Sequence, residues 1–173
     1  RLFRRQRQMC IRDSLCAARL VVHQGDDVHR AEVLEHFFDR WQYENLVVNQ
    51  WFVMQATRPS ADCVSEVTAL TLHAAFDWRN PNKVRSLISA FAGANPTAFH
   101  ALDGGGYRLL GDAVRRLQSD NPQIAARMLA PMTRWRRYDH GQAVMRGELE
   151  SIAAVEGLSQ DVYEVVNRSL SDS

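Results

Sequence analysis

Three times in its middle third the chain places asparagine directly before proline, at Asn80-Pro81, Asn95-Pro96 and Asn121-Pro122. An asparagine side chain can accept a hydrogen bond from an N–H of a helix's first turn, and proline at the first helical position gives up a donor that would be unpaired there anyway. Each pair therefore reads as a helix start. Starts this closely spaced confine the chain to short helices joined by tight connections.

The residues after each start have helical spacing. Val84, Leu87, Ile88 and Phe91 fall at i, i+3, i+4 and i+7, with Gly93 as a stop. Leu110, Ala113, Val114 and Leu117 repeat the pattern after the glycine turn at Gly104, Gly105 and Gly106, and Ile124, Met128, Met132 and Trp135 repeat it again. Pro131 lies inside that last pattern, where its missing N–H and its ring predict a kink or split near Leu129. Upstream, Val28, Ala31, Leu34, Phe38 and Trp41 make one stripe. Leu46 to Met54 is apolar on nearly every side except Asn49 and Gln50, which predicts a centrally buried helix. Pro59-Ser60 opens another helix toward His73, and two more follow Asp139, marked by Met145, Leu149 and Ile152 and then by Val162, Val165 or Val166, and Leu170.

No convincing period-two strand accompanies these patterns. The expected fold is all-α, about eight antiparallel helices with short loops, stacked as an irregular HEAT-like or armadillo-like α-solenoid. The unequal spacing of the Asn-Pro starts, 15 then 26 residues, argues against a true repeat array.

Charge is unevenly placed. Residues 1–14 hold five arginines and one aspartate, leaving 16 basic against 19 acidic groups in the remainder. That first segment has no apolar run of about 7–15 residues, so it is a poor secretory signal. It resembles translated sequencing-adapter text, and residues 1–14 are expected to be an artefactual or disordered leader outside the domain at 15–173. No stretch reaches the roughly 18 apolar residues of a membrane span. Cys10, Cys16 and Cys63 form no C-x-x-C pair, which argues against a disulfide framework or a thiolate zinc site and fits a cytoplasmic location.

Few residues suggest independent chemistry. His23, His29, His36, His73, His100 and His140 never form H-x-x-x-H or H-E-x-x-H, so two metal ligands one helical turn apart are not offered. Ser86 and Ser89 lack a G-x-S-x-G turn. Gly104, Gly105 and Gly106 have neither a preceding strand nor a following lysine, and read as a tight turn opening a helix rather than a phosphate cradle. Arg134, Arg136 and Arg137 with Trp135 and Tyr138 mix basic and aromatic groups, yet Arg136 and Arg137 fall in a last helical turn, where cations meet the negative dipole end. Nucleic acid is not expected as a partner. Arg85 and Arg127 stand at the edges of their apolar stripes, and from pattern alone each reads as a structural salt-bridge residue.

The strings NPNKVRSLISAFAGANPTAFH (Asn80 to His100), DGGGY (Asp103 to Tyr107) and NPQIAARMLAPMTRWRRYD (Asn121 to Asp139) resemble the C-terminal helical domain of the aminopeptidase N family, in its bacterial alanyl-aminopeptidase branch. NQWFVMQATRP (Asn49 to Pro59) and the ending from Gly157 to Glu164 fit the same domain, so the resemblance covers the chain from about Leu15 to its end. It implies a domain that caps the substrate chamber of a zinc metallo-aminopeptidase removing N-terminal residues from peptides. The zinc motif H-E-x-x-H and the G-x-M-E-N strand of that family belong to a preceding domain, and neither occurs here. No cofactor is therefore expected on this chain, zinc belongs to the parent enzyme, and the chain alone is expected to be inactive. The implied partners are the catalytic and preceding domains and the peptide substrate. Arginines matching Arg85 and Arg127 face the C-terminal side of a bound peptide in that family, and the residue matching Gln123 borders the pocket for the substrate's first side chain. The competing expectation is a free-standing helical-repeat scaffold that binds protein or peptide in a concave groove.

Overall fold

A computed structural model describes residues 2–171, with side chains from Met9 onward. Much of the segment expected to be a leader thus has side chains outside the described residues. The backbone is helical from Leu2: α1 (Leu2–Gln24) is followed by α2 (Asp27–Trp41), α3 (Asn45–Ala56) and α4 (Cys63–Leu70). Next comes one long helix built as α5 (Pro81–Val84), a π-helical turn (Arg85–Ser89) and α6 (Ala90–Ala94). The single turn α7 (Pro96–Phe99) leads to α8 (Gly105–Leu117), α9 (Pro122–Met128), a 3-10 turn (Met132–Arg137), α10 (Gln142–Ala153) and α11 (Gln160–Ser171). The described residues contain no strand. The all-α, solenoid-like expectation holds.

All three Asn-Pro pairs start helices, but the asparagines do different work. Asn80 Oδ1 accepts from Asn82 N–H at 3.0 Å, and Asn95 Oδ1 accepts from Ala98 N–H at 3.2 Å. Asn121 makes no side-chain cap; its main-chain oxygen accepts from Ile124 and Ala125 instead. Asn95 is buried, and its Nδ2 also donates to the carbonyl oxygens of Ala56 at 3.0 Å and Arg58 at 2.6 Å. One side chain thereby closes the end of α3, the loop to α4 and the start of α7.

α3 lies at the centre of the first half, packed against α1, α2, α4, α5, the π-helical turn and α6. Val47, Val48, Trp51, Phe52 and Met54 are buried, whereas Leu46 is 78% exposed. The second half packs α8 on α9 and α10, and α11 on α9 and α10, while α4 and α7 join it to the first half through α8. Val84, Leu87, Ile88 and Phe91 are all fully buried, as are Leu110, Val114, Met132, Met145, Leu149 and Ile152. Each such side chain contributes about 1.5–3 kcal/mol by leaving water.

Pro131 splits its helix as expected. α9 ends at Met128, and the chain resumes as a 3-10 turn at Met132, close to the point where Pro131 has no N–H to continue the ladder. Three expectations need correction. In α2 the buried face is formed by Phe37 and Trp41 with Val33, Leu34 and Phe38 beside them, while Val28 is 67% exposed. Val28 sits in the first turn, two residues after the Asp26 cap. The helix from Pro81 contains a π-helical turn, which adds a residue to one turn and has no marker in composition. α1 itself adds a helix before the first expected one, with Ile11, Leu15, Ala18 and Val22 against the core.

Candidate functional site

Two of the Asn-Pro starts come together in space. Pro81, Asn82 and Arg85 from α5 and its π-helical turn, and Asn121, Pro122, Gln123, Ile124 and Arg127 from the start of α9, line one cleft of about 450 Å³. Asp120 and Asp161 complete its lining. The local helical geometry explains the convergence: Asn82 and Arg85 are three residues apart and Gln123 and Arg127 four apart, so each pair shares a helix face. Arg85, Gln123 and Arg127 therefore line the same cleft, although they come from separate helices.

Arg85 and Arg127 are both exposed. Neither makes an ion pair or a side-chain hydrogen bond among the described residues, in contrast to Arg30, Arg58 and Arg115, which pair with carboxylates. The structural salt bridge expected from pattern alone is thus not formed among the described residues. Their guanidinium groups present donors to the cleft, and a guanidinium fork matches a carboxylate or a pair of carbonyl oxygens. Asp120 directly precedes the Asn121-Pro122 start, whereas sequence spacing does not reveal Asp161, because α11 meets α9 only through the tertiary fold.

A second cleft of about 470 Å³ adjoins the first and shares Asn82 and Arg85 with it. Its other walls come from Ile11 and Leu15 of α1, Leu46, Val47, Asn49 and Gln50 of α3, and Ser86. Asn49 Oδ1 is shielded there without a hydrogen-bond partner among the described residues.

The remaining candidates have structural duties. Gly104 takes φ +69° to open α8, and Asp103 Oδ1 accepts from the Gly105 N–H at 2.9 Å. A Cβ on Gly106 would lie 2.5 Å from the Phe99 carbonyl oxygen, so that glycine lets two backbone segments touch. Arg136 donates to the carbonyl oxygens of Ser169 at 2.7 Å and Leu170 at 3.3 Å, capping the end of α11, while its guanidinium stacks over Trp135. Cys63 is buried and its thiol is pushed up to about 11 by that burial, which leaves it unreactive at neutral pH. No group of three His, Cys, Asp or Glu residues able to hold a metal ion occurs among the described residues. No helix among them is long and apolar enough to cross a membrane.

A family model described as a domain of unknown function (DUF3458_C) with ARM repeats matches residues 3–171. Aminopeptidase N of Escherichia coli is 44% identical over 142 residues, which is 82% of this chain and 16% of that protein. The corresponding figures for aminopeptidase N of Caulobacter vibrioides are 40% identity over 144 residues, 83% of this chain and 17% of that protein. Among solved structures, Legionella pneumophila aminopeptidase A in complex with aspartic acid superposes with a TM-score of 0.83 at 32% identity, covering 90% of this chain and 18% of that one. The chain thus spans roughly a sixth of the length of the relatives it matches.

Proposed function

Because the chain belongs to the DUF3458_C family of ARM-repeat domains and is homologous to the C-terminal domain of aminopeptidase N, we propose that it closes the substrate chamber of a zinc aminopeptidase. The zinc, the water it activates and the general-base glutamate belong to a catalytic domain outside this chain. This domain's own contribution is positional. Arg85 and Arg127 hold the C-terminal side of a bound peptide through charge-assisted hydrogen bonds, and Gln123 borders the pocket for its first side chain. Its partners are the preceding and catalytic domains and the peptide, and its location is the cytoplasm. The domain proper starts at Leu15, with residues 1–14 as a leader.

The observation that supports this reading most is the convergence of Arg85, Gln123 and Arg127 on one cleft, with neither arginine paired among the described residues. Arg30, Arg58 and Arg115 are each paired with a carboxylate; Arg85 and Arg127 line a space that a ligand can enter, with Asp120 and Asp161 in the same lining.

The test uses the full-length enzyme that carries this domain. Arg85→Ala or Arg127→Ala lowers kcat/KM for tri- and tetrapeptides by roughly tenfold to a hundredfold, the equivalent of about 1.5–3 kcal/mol for a charge-assisted bond. A small alanyl anilide offers no peptide chain beyond the cleaved bond, so its kcat/KM stays near wild type. Equal losses for both substrates, or a lowered melting temperature in step with the loss, count against the proposal.

A further inference from the structure

A separate cleft of about 430 Å³ opens between α2, α4 and the end of α3. Its walls are apolar, formed by Val22, Leu34 and Leu70, and Leu72 stands 87% exposed at its lining. Its charged groups are two arginines around one carboxylate. Arg58 Nε and Nη2 donate to Glu66 at 3.2 and 2.6 Å, and Arg30 Nη2 lies 3.2 Å from the same Glu66 carboxylate. Arg30 Nη2 also reaches Asp27 at 3.2 Å, on the outer surface. The other terminal nitrogen, Arg30 Nη1, is shielded from solvent and has no hydrogen-bond partner among the described residues.

His73 lines the same cleft. Its Nδ1 accepts from the Ala75 N–H at 3.1 Å, so in the neutral ring the proton is on Nε2. The imidazole is held by Phe38, Trp51 and Phe52, with ring centroids 4.9, 5.1 and 6.2 Å away. A guanidinium has no acceptor atoms, and this imidazole has used its one acceptor internally. Glu66, the carboxylate within the cleft, is already shared by both arginines.

We propose that this cleft binds a small apolar monocarboxylate, its carboxylate taken by Arg30 Nη1 and its hydrocarbon body lying against Leu34, Leu70 and Leu72. The unpartnered shielded donor calls for an acceptor, and a carboxylate supplies the strongest one with the matching planar geometry. The apolar walls favour a hydrocarbon body over a phosphate or sulfate, which would bring polar oxygens against leucine. The proposal is independent of the cleft at Arg85. The carboxylate can come from a free acid or from the C-terminus of a short peptide ending in an apolar residue.

The test is calorimetric titration of the full 173-residue chain with octanoate, octanamide and N-acetyl-leucine. Octanoate is expected to bind saturably, and octanamide, with the same body and no charge, at least about tenfold more weakly. Tighter binding of N-acetyl-leucine than of octanoate assigns the site to peptide carboxylates; the reverse assigns it to free acids. Leu72→Asp, at a position too exposed to disturb folding, is expected to weaken octanoate by about tenfold or more through charge repulsion with no change in Tm. Arg30→Gln has the same effect on octanoate, and if it also lowers Tm, the Leu72→Asp result decides. Absence of saturation at millimolar octanoate, equal affinity for octanoate and octanamide, or unchanged binding by Leu72→Asp overturns the proposal.

Discussion

Asn95 Nδ2 lies 3.2 Å from Cys63 Sγ, across 32 residues of sequence, and the pair pins the start of α4 to the start of α7. The same amide donates to the Ala56 and Arg58 carbonyls, and Cys63 donates in turn to Gln55 and Ala56. Three asparagines that look alike in sequence therefore carry different loads. Asn95→Ala removes a cap and strands buried carbonyls, and is expected to cost about 2–4 kcal/mol. Asn80→Ala loses only a cap, about 1 kcal/mol, and Asn121→Ala, with no side-chain cap to lose, less than about 0.5 kcal/mol. Chemical denaturation of the three variants checks the order; equal costs would show that the proline, not the asparagine, sets these starts.

Two helical glycines make an opposite pair. Gly106→Ala would force a methyl against the Phe99 backbone, which cannot yield as a side-chain tip can, and is expected to destabilise by about 1–3 kcal/mol. Gly147 lies within α10 with nothing within 4 Å of an added Cβ. Gly147→Ala is expected to stabilise by about 0.5–1 kcal/mol, since alanine loses less backbone entropy in a helix. Thermal melts of both variants give the comparison, and a stabilising Gly106→Ala would refute the close contact.

Much of this architecture is legible from single residues. The buried face of Val84, Leu87, Ile88 and Phe91 follows from spacing alone, because the helical period puts those positions on one side whatever packs there. Pro131 announces its break through a missing N–H. The face of α2 is not legible in the same way: Val28 belongs to a periodic stripe, but α1 and α3 decide that Phe37 and Trp41 turn inward. α1 has its own stripe in Ile11, Leu15, Ala18 and Val22, obscured when its first half is set aside as a basic leader. At the cleft, Arg85 and Arg127 are marked by resemblance to a family, whereas Asp161 joins them only through packing.

The boundary proposed at Leu15 has a direct measurement. Ile11 packs partly against the core, and Ala18 and Val22 are buried. Deleting residues 1–14 is expected to cost no more than about 1 kcal/mol, Ile11 being the half-buried hydrophobic among the described residues of that segment. Val22→Ala, which leaves a cavity at a position 1% exposed, is expected to cost about 1–3 kcal/mol. A deletion that costs more than Val22→Ala would place residues 1–14 inside the domain.

His100 Nδ1 and the Tyr107 hydroxyl are hydrogen-bonded at 2.8 Å, with Tyr138 stacked on the ring at 4.3 Å. Burial holds His100 below the usual histidine range, and it does the same for His73 and, against a partial offset from the Met54 carbonyl, for His23. A histidine lowered on folding binds fewer protons in the native state than in the unfolded one. Its contribution is complete above the unfolded value of about 6.5 and is lost as the pH falls through the lower native value. His29 runs the other way, raised by Asp26, but it is fully exposed and the pair is screened by solvent. The Tm is therefore expected to fall as pH is lowered from 7.5 to 5.5. His100→Gln keeps a polar group beside Tyr107 without a titrating ring, so its melting temperature should depend less steeply on pH over that range. A wild-type Tm that is flat or rises toward pH 5.5, or an unchanged slope in His100→Gln, would show that these buried rings do not govern the acid response.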